Sequence, residues 1–136
     1  MAVKFLLDTD ICIYVIKNKP KHIVDRFLSH NPGEIGISTI SLAELRLGVA
    51  KSQFPERNHL ALENMLRPIE ILSFDEKAAM IYGEIRKALE KAGTPIGAMD
   101  YLIAAHSLSI EAKLITNNER EFKRVKKLQI ENWIVS

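Results

Sequence analysis

Residues 3–7 form a short run, apolar apart from Lys4, with a β-branched start, cut off abruptly by the polar trio Asp8, Thr9 and Asp10. A strand that reads as apolar on both sides is one buried on both faces, and such strands belong to parallel sheets covered by helices above and below. The rest of the chain repeats the pattern. Helices are expected over 11–17, 21–29 (opened by Pro20), from Ser38 or Ser41 to Gln53, 56–67, 76–92 (capped by Asp75) and 97–109, with a helical turn over 119–125. Strands are expected over 34–38, 69–74, 113–116 and 128–135. Alternation with brief connections specifies an α/β fold with a mostly parallel sheet of about five strands. At 136 residues it would be one domain spanning 1–136.

Composition narrows the class. A 47% hydrophobic content with only 6 Gly and 5 Pro excludes disordered and collagen-like chains. No apolar run reaches the ~18 residues of a membrane span, and no signal-peptide layout is visible, so a soluble, cytoplasmic protein without a membrane partner is expected. The one cysteine, Cys12, lies in an apolar row and reads as a small buried hydrophobe. A net charge of +2 is too small to steer a polyanion by itself.

In open parallel sheets the reactive crevice lies beyond the carboxyl ends of the strands, which directs attention to the residues just after each one. Asp8 and Asp10 follow the first strand, and Glu44 lies one or two turns into the helix after the second. Asn117, Asn118 and Glu121 follow the fourth, and Asp100 starts an otherwise apolar helix. Each has a local alternative. Asp8 or Asp10 could cap the helix at Ile11, Ser41 and Glu44 have capping-box spacing, as do Asn118 and Glu121, and Asp100 could answer the helix dipole. Four separate caps, however, need not converge, and this topology brings them to one end of one sheet. Several carboxylates in one crevice need a cation, and an oxygen-only donor set selects a hard divalent ion, Mg²⁺ or Mn²⁺. Held by few carboxylates, such an ion suits phosphodiester hydrolysis.

His22, His30, His59 and His106 show no zinc-type pairing, and P-loop, dinucleotide and serine-hydrolase signatures are absent. Lys123, Arg124, Lys126 and Lys127 form a basic cluster beyond the candidate site, and Lys17, Lys19 and Lys21 another; either is a solvated face or a phosphate-holding surface.

Four segments in order, FLLDTDICIYVIKNKP, ISTISLAELRLGVAKS, GTPIGAMDYLIAAHSLS and LITNNEREFKRVKKLQIENW, span nearly the whole chain. Through them the sequence resembles the PIN-domain ribonucleases and, among these, the VapC toxins of bacterial toxin–antitoxin pairs. The resemblance implies a PIN-like three-layer α/β/α sandwich. It makes Asp8, Glu44 and Asp100 the Mg²⁺-coordinating core, with Glu121 as fourth acid. Many relatives carry an Asp where this chain has Asn118, and Asn where it has Asp10. Thr116, Asn117, Asn118 and Asp10 are accordingly expected in supporting, outer positions. Arg46, Lys51, Lys123 and Arg124 are candidates for RNA phosphates. The resemblance further implies a homodimer, a cognate VapB-type antitoxin forming a larger complex, and structured RNA as substrate, often a transfer RNA cut in the anticodon stem-loop to inhibit translation.

Two other readings compete. Asp8-Thr9-Asp10 is similar to the nucleophile and acid pair of haloacid-dehalogenase phosphatases, and an acidic pocket can also persist in an inactive RNA- or protein-binding module.

Overall fold

The computed structural model describes residues 2–134. Along the chain, β1 (Phe5–Leu7) is followed by α1 (Thr9–Lys17) and α2 (Lys21–Leu28), and β2 (Ile35–Ser38) by α3 (Thr39–Lys51) and α4 (Pro55–Leu66). Then come β3 (Glu70–Leu72), α5 (Glu76–Lys91), α6 (Ala98–Ser109), β4 (Lys113–Ile115), α7 (Glu119–Phe122) and β5 (Ile130–Glu131). The strands pair in the order β3-β2-β1-β4-β5, and every pairing is parallel.

Both faces of this sheet are covered, which gives the three-layer sandwich expected from the sequence. On one face Leu7, Ile37 and Ile115 pack against Ile11, Cys12, Ile23, Phe27, Leu45 and Leu62 of α1 to α4. On the other, Leu114 packs with Leu89 of α5, Tyr101, Ile103 and Ala104 of α6, and Phe122 of α7. Adjacent residues Leu114 and Ile115 thus serve opposite cores, as the two-residue period of a strand requires. Gly36 in central β2 has no room for a side chain: a Cβ there would lie 3.1 Å from the Glu70 carbonyl and 3.2 Å from Val3. Cys12 is fully buried and unpaired, and burial pushes its thiol pKa far up, so it behaves as a hydrophobe.

The structure departs from the sequence expectations in several places. α3 is capped not by Ser41 but by Ser38, whose hydroxyl accepts from Ile40 N–H at 3.0 Å, so the Ser41–Glu44 capping box does not form and Glu44 is free for another role. β3 is shorter than 69–74 and lies at the sheet edge with Ile71 exposed. The final strand is two residues, not the expected 128–135. Asn132 bends the chain by accepting from Ile134 N–H, and Trp133 turns into the first core; Val135 lies outside the described residues. Ile23 and Phe27, open on sequence to either core or interface, are core, whereas Leu60 is exposed. Among the described residues no helix is long and apolar enough to cross a membrane.

Candidate active site

The strand order places a reversal between β1 and β4: the chain moves outward from β1 through β2 to β3, then returns to the other side of β1. Loops leaving the carboxyl ends of β1 and β4 therefore separate in opposite directions and open a crevice between them. Asp8 stands at that point. It caps α1, with Oδ1 accepting from Thr9 N–H at 2.8 Å, while Oδ2 accepts from the Thr116 hydroxyl, just past β4, at 2.8 Å.

A continuous chain of side-chain bonds runs outward from Asp8. The Thr9 hydroxyl donates to Glu44 Oε1 at 2.6 Å, tying α3 to the start of α1. On the other side Thr116 Oγ1 accepts from Asn118 N–H at 2.9 Å, and the Asn118 amide donates to Glu121 Oε2 at 2.7 Å while reaching Asp100 Oδ2 at 3.5 Å. Asp100 enters from the first turn of α6. Thr9 was not singled out from sequence; its signal is a hydroxyl immediately after an acidic helix cap. Asn118 takes the capping position of α7, yet its side chain binds no backbone there and instead orients Glu121.

Electrostatics follow from this crowding. Burial is the main cause pushing the Asp8 carboxyl up to about 7, with the charges of Asp10 and Glu44 adding to it against the hydrogen bonds from Thr116 and Thr9. Asp100 is also raised to about 7, by burial first, then by sharing a hydrogen bond with Glu121, and then by the charges of Asp8, Glu121 and Glu44. Burial raises Asp10 as well, and its Oδ1 is a buried oxygen without a hydrogen-bond partner. Glu121 moves the other way, held down by its bonds with Asn118 and Asp100. The carboxylates are thus close enough to perturb one another, although among the described residues no three of them close into a ready cage.

Other residues expected at the site lie apart from this chain of bonds. Asn117 is exposed and accepts from Asn132 at 3.0 Å. Arg46 is engaged by Glu63 at 2.7 Å, and Arg124 donates to the Pro95 carbonyl at 2.7 Å, close to the start of α6. Lys51 shares a groove of about 580 Å³ with Glu44, Leu47 and Met99, and Lys123 is exposed. The four histidines are scattered: His30 stacks on Trp133, His22 binds the Ile134 carbonyl, His59 lies beside Arg46, and His106 is buried.

Residues 5–128 match the PIN domain family. The tRNA(fMet)-specific endonuclease VapC of Salmonella typhimurium is 45% identical over 131 residues, covering 96% of this chain and 98% of that one. Ribonuclease VapC2 of Haemophilus influenzae is 45% identical, with 97% and 99% covered. Among solved structures, VapBC2 of Rickettsia felis bound to a promoter DNA fragment superposes with a TM-score of 0.90 at 41% identity, covering 96% and 99%. DNA-bound VapBC of Salmonella typhimurium gives 0.91 at 45%, covering 96% and 98%. The chain belongs to the PIN-domain family and, within it, to the VapC ribonucleases.

The raised carboxyls make stability depend on pH. Between 3.8 and about 7 the folded protein keeps protons on Asp8 and Asp100 that the unfolded chain has lost, so this contribution is full at the acid end and disappears as pH rises. In EDTA, Asp8→Asn should therefore become progressively more stable relative to the unmodified protein across that window, read as melting temperature; a constant difference would refute it.

Proposed function

We propose that this protein is the toxin of a toxin–antitoxin pair, a Mg²⁺-dependent endoribonuclease that hydrolyses structured RNA. The observation that carries the reading is the meeting of Asp8, Glu44, Asp100 and Glu121 at the β1–β4 crevice, where burial first and neighbouring charge second raise two carboxyls to about 7, so that a cation would favour their ionised forms. The donor set fits such an ion: the oxygens are hard, no thiolate or paired imidazole competes, and Asp10 Oδ1 is left without a partner. Asp8 and Asp100 would hold Mg²⁺ directly, with Glu44 at its margin and water completing the shell; Mn²⁺ would substitute. When bound, the ion supplies positive charge that offsets the carboxylates and the charge growing on the phosphoryl oxygens.

The protein's own side chains do the positioning. Thr9 aims Glu44 and Asn118 aims Glu121, so each presents a carboxylate oxygen able to accept a hydrogen bond from the attacking water. Water attacks phosphorus in line and the bond to the 3′ oxygen breaks, leaving a 3′-hydroxyl and a 5′-phosphate. Thr116 fixes the Asp8 carboxylate, and Asp10 would act as an outer group whose free Oδ1 accepts from a water of the shell. Lys51, in the groove beside Glu44, and exposed Lys123 would meet backbone phosphates. Arg46 and Arg124 would have to share or exchange their present partners to do so.

For substrate, relatives named as tRNA(fMet)-specific endonucleases, 45% identical over almost the full chain, support initiator transfer RNA, and the proposed place of cutting is its anticodon stem-loop. An unpaired loop lets the backbone reach a recessed metal site, and loss of the initiator would inhibit translation. Similarity to VapBC structures supports a cognate VapB-type antitoxin as partner; a homodimer silenced by it in the cytoplasm belongs to the same proposal.

Incubating antitoxin-free protein with total bacterial RNA should give discrete new 5′-phosphate ends with Mg²⁺ and none with EDTA. Asp8→Asn and Asp100→Asn should each lower the rate by more than about 100-fold while remaining folded, since ligand loss exceeds the effect of disturbing an outer partner. Cutting that persists in EDTA or in either variant would overturn the assignment.

Gly97 provides a finer test. A Cβ there would lie 3.1 Å from Asp100 Oδ2, the movable end of a side chain, so Gly97→Ala displaces the carboxylate without straining the backbone. Cleavage should fall about tenfold with little change in melting temperature. Unchanged cleavage would remove Asp100 from the site.

A further inference from the structure

His106 lies on the same helix as Asp100 but is buried in the protein, 2% exposed, with Nδ1 2.7 Å from the hydroxyl of Ser38, itself fully buried. The Ser38 oxygen already accepts from Ile40 N–H as the cap of α3, so its single proton is available for His106 Nδ1. The hydroxyl keeps a second lone pair, so the bond forms with either neutral tautomer of the ring, and burial favours the neutral ring. Thr39, the next residue, accepts from Phe74 N–H at 3.2 Å, and the Phe74 ring meets His106 edge-on at 5.7 Å. The β2–α3 turn is thus fastened to α6 on one side and to the end of β3 on the other.

The two helices joined by this bond are those that carry Glu44 and Asp100. α6 is packed through Tyr101, Ile103, Ala104 and Ala105, all almost fully buried, and His106 adds a directional polar contact to that apolar packing. A hydrogen bond between two buried polar groups has a defined geometry, and leaving either partner unpaired is costly. We propose that His106 is a positioning residue for the acidic site: its bond to Ser38 sets the register of α6 against the start of α3 and so the separation of Asp100 from Glu44. The inference rests on the nuclease reading for its activity readouts, but the geometry it asserts does not.

The test compares His106→Leu, which keeps bulk but loses the ring nitrogen, with His106→Asn, whose amide can replace Nδ1 as acceptor or donor. Ile103→Val on the same helix controls for lost core packing. His106→Leu should lower kcat about tenfold with KM unchanged and weaken Mn²⁺ binding, measured by calorimetry, by a similar factor; His106→Asn should recover most of both. Ile103→Val should lower the melting temperature without affecting either. In the Ser38→Ala background, His106→Leu should add nothing further. Crystal structures of the unmodified and His106→Leu proteins should differ in the Asp100 to Glu44 separation. Equal kcat and Mn²⁺ affinity in folded His106→Leu, or an unchanged separation, would overturn the proposal. If the unmodified protein neither binds Mn²⁺ nor cuts RNA, the nuclease reading fails, and the two structures alone decide the role of His106.

Discussion

Everything at the site depends on placing the carboxyl of Asp8 at the end of a central strand, where both its oxygens are held and little water reaches it. That position lies at the one point of the sheet where neighbouring connections diverge, so the crevice and its most buried acid arise from a single topological fact. The cost is electrostatic. Burial above all, with the charges of Asp10 and Glu44 adding to it, keeps Asp8 above the ordinary carboxylate range, and burial does the same to Asp100, so the site carries a demand for positive charge that a proton or a cation meets.

The supporting framework answers that demand with neutral hydrogen-bonding groups rather than with basic side chains. Thr9, Thr116 and Asn118 link the acids into one chain of bonds while leaving their charges uncompensated. The two arginines of the neighbourhood have other hydrogen-bonding partners, Arg46 in Glu63 and Arg124 in a backbone carbonyl, although the Arg124 charge still helps to hold Glu121 down. A lysine or arginine salt-bridged to Asp8 would stabilise the apo protein and close the site to a metal. Orientation without neutralisation is what a metal-dependent hydrolase needs, because it preserves the donors and fixes their directions.

Much of this was legible in the sequence because it rests on local rules. The buried-strand run before Asp8 and the Asp75 cap of α5 both follow from short-range chemistry. Convergence of the acids followed from topology, and the resemblance to VapC proteins assigned them roles. What could not be read was which polar residue would turn to which partner. Ser41 and Glu44 have capping-box spacing, yet Ser38 caps the helix because β2 ends there. Glu44 meets Thr9, 35 residues away, through packing that no local pattern encodes. The last strand was overestimated for a related reason. The apolar residues past Glu131 serve a core: Trp133 leaves the sheet edge to stack with His30 against Phe5.

The central claim is that Asp8 and Asp100 together hold a divalent cation. The most direct measurement is an anomalous difference map from crystals of the antitoxin-free protein grown with Mn²⁺. The account predicts a peak at oxygen-ligand distance, roughly 2.0–2.4 Å, from Asp8 and Asp100, and its loss in Asp100→Asn. A fully ordered site with no peak, or a peak that avoids these carboxylates, would contradict it.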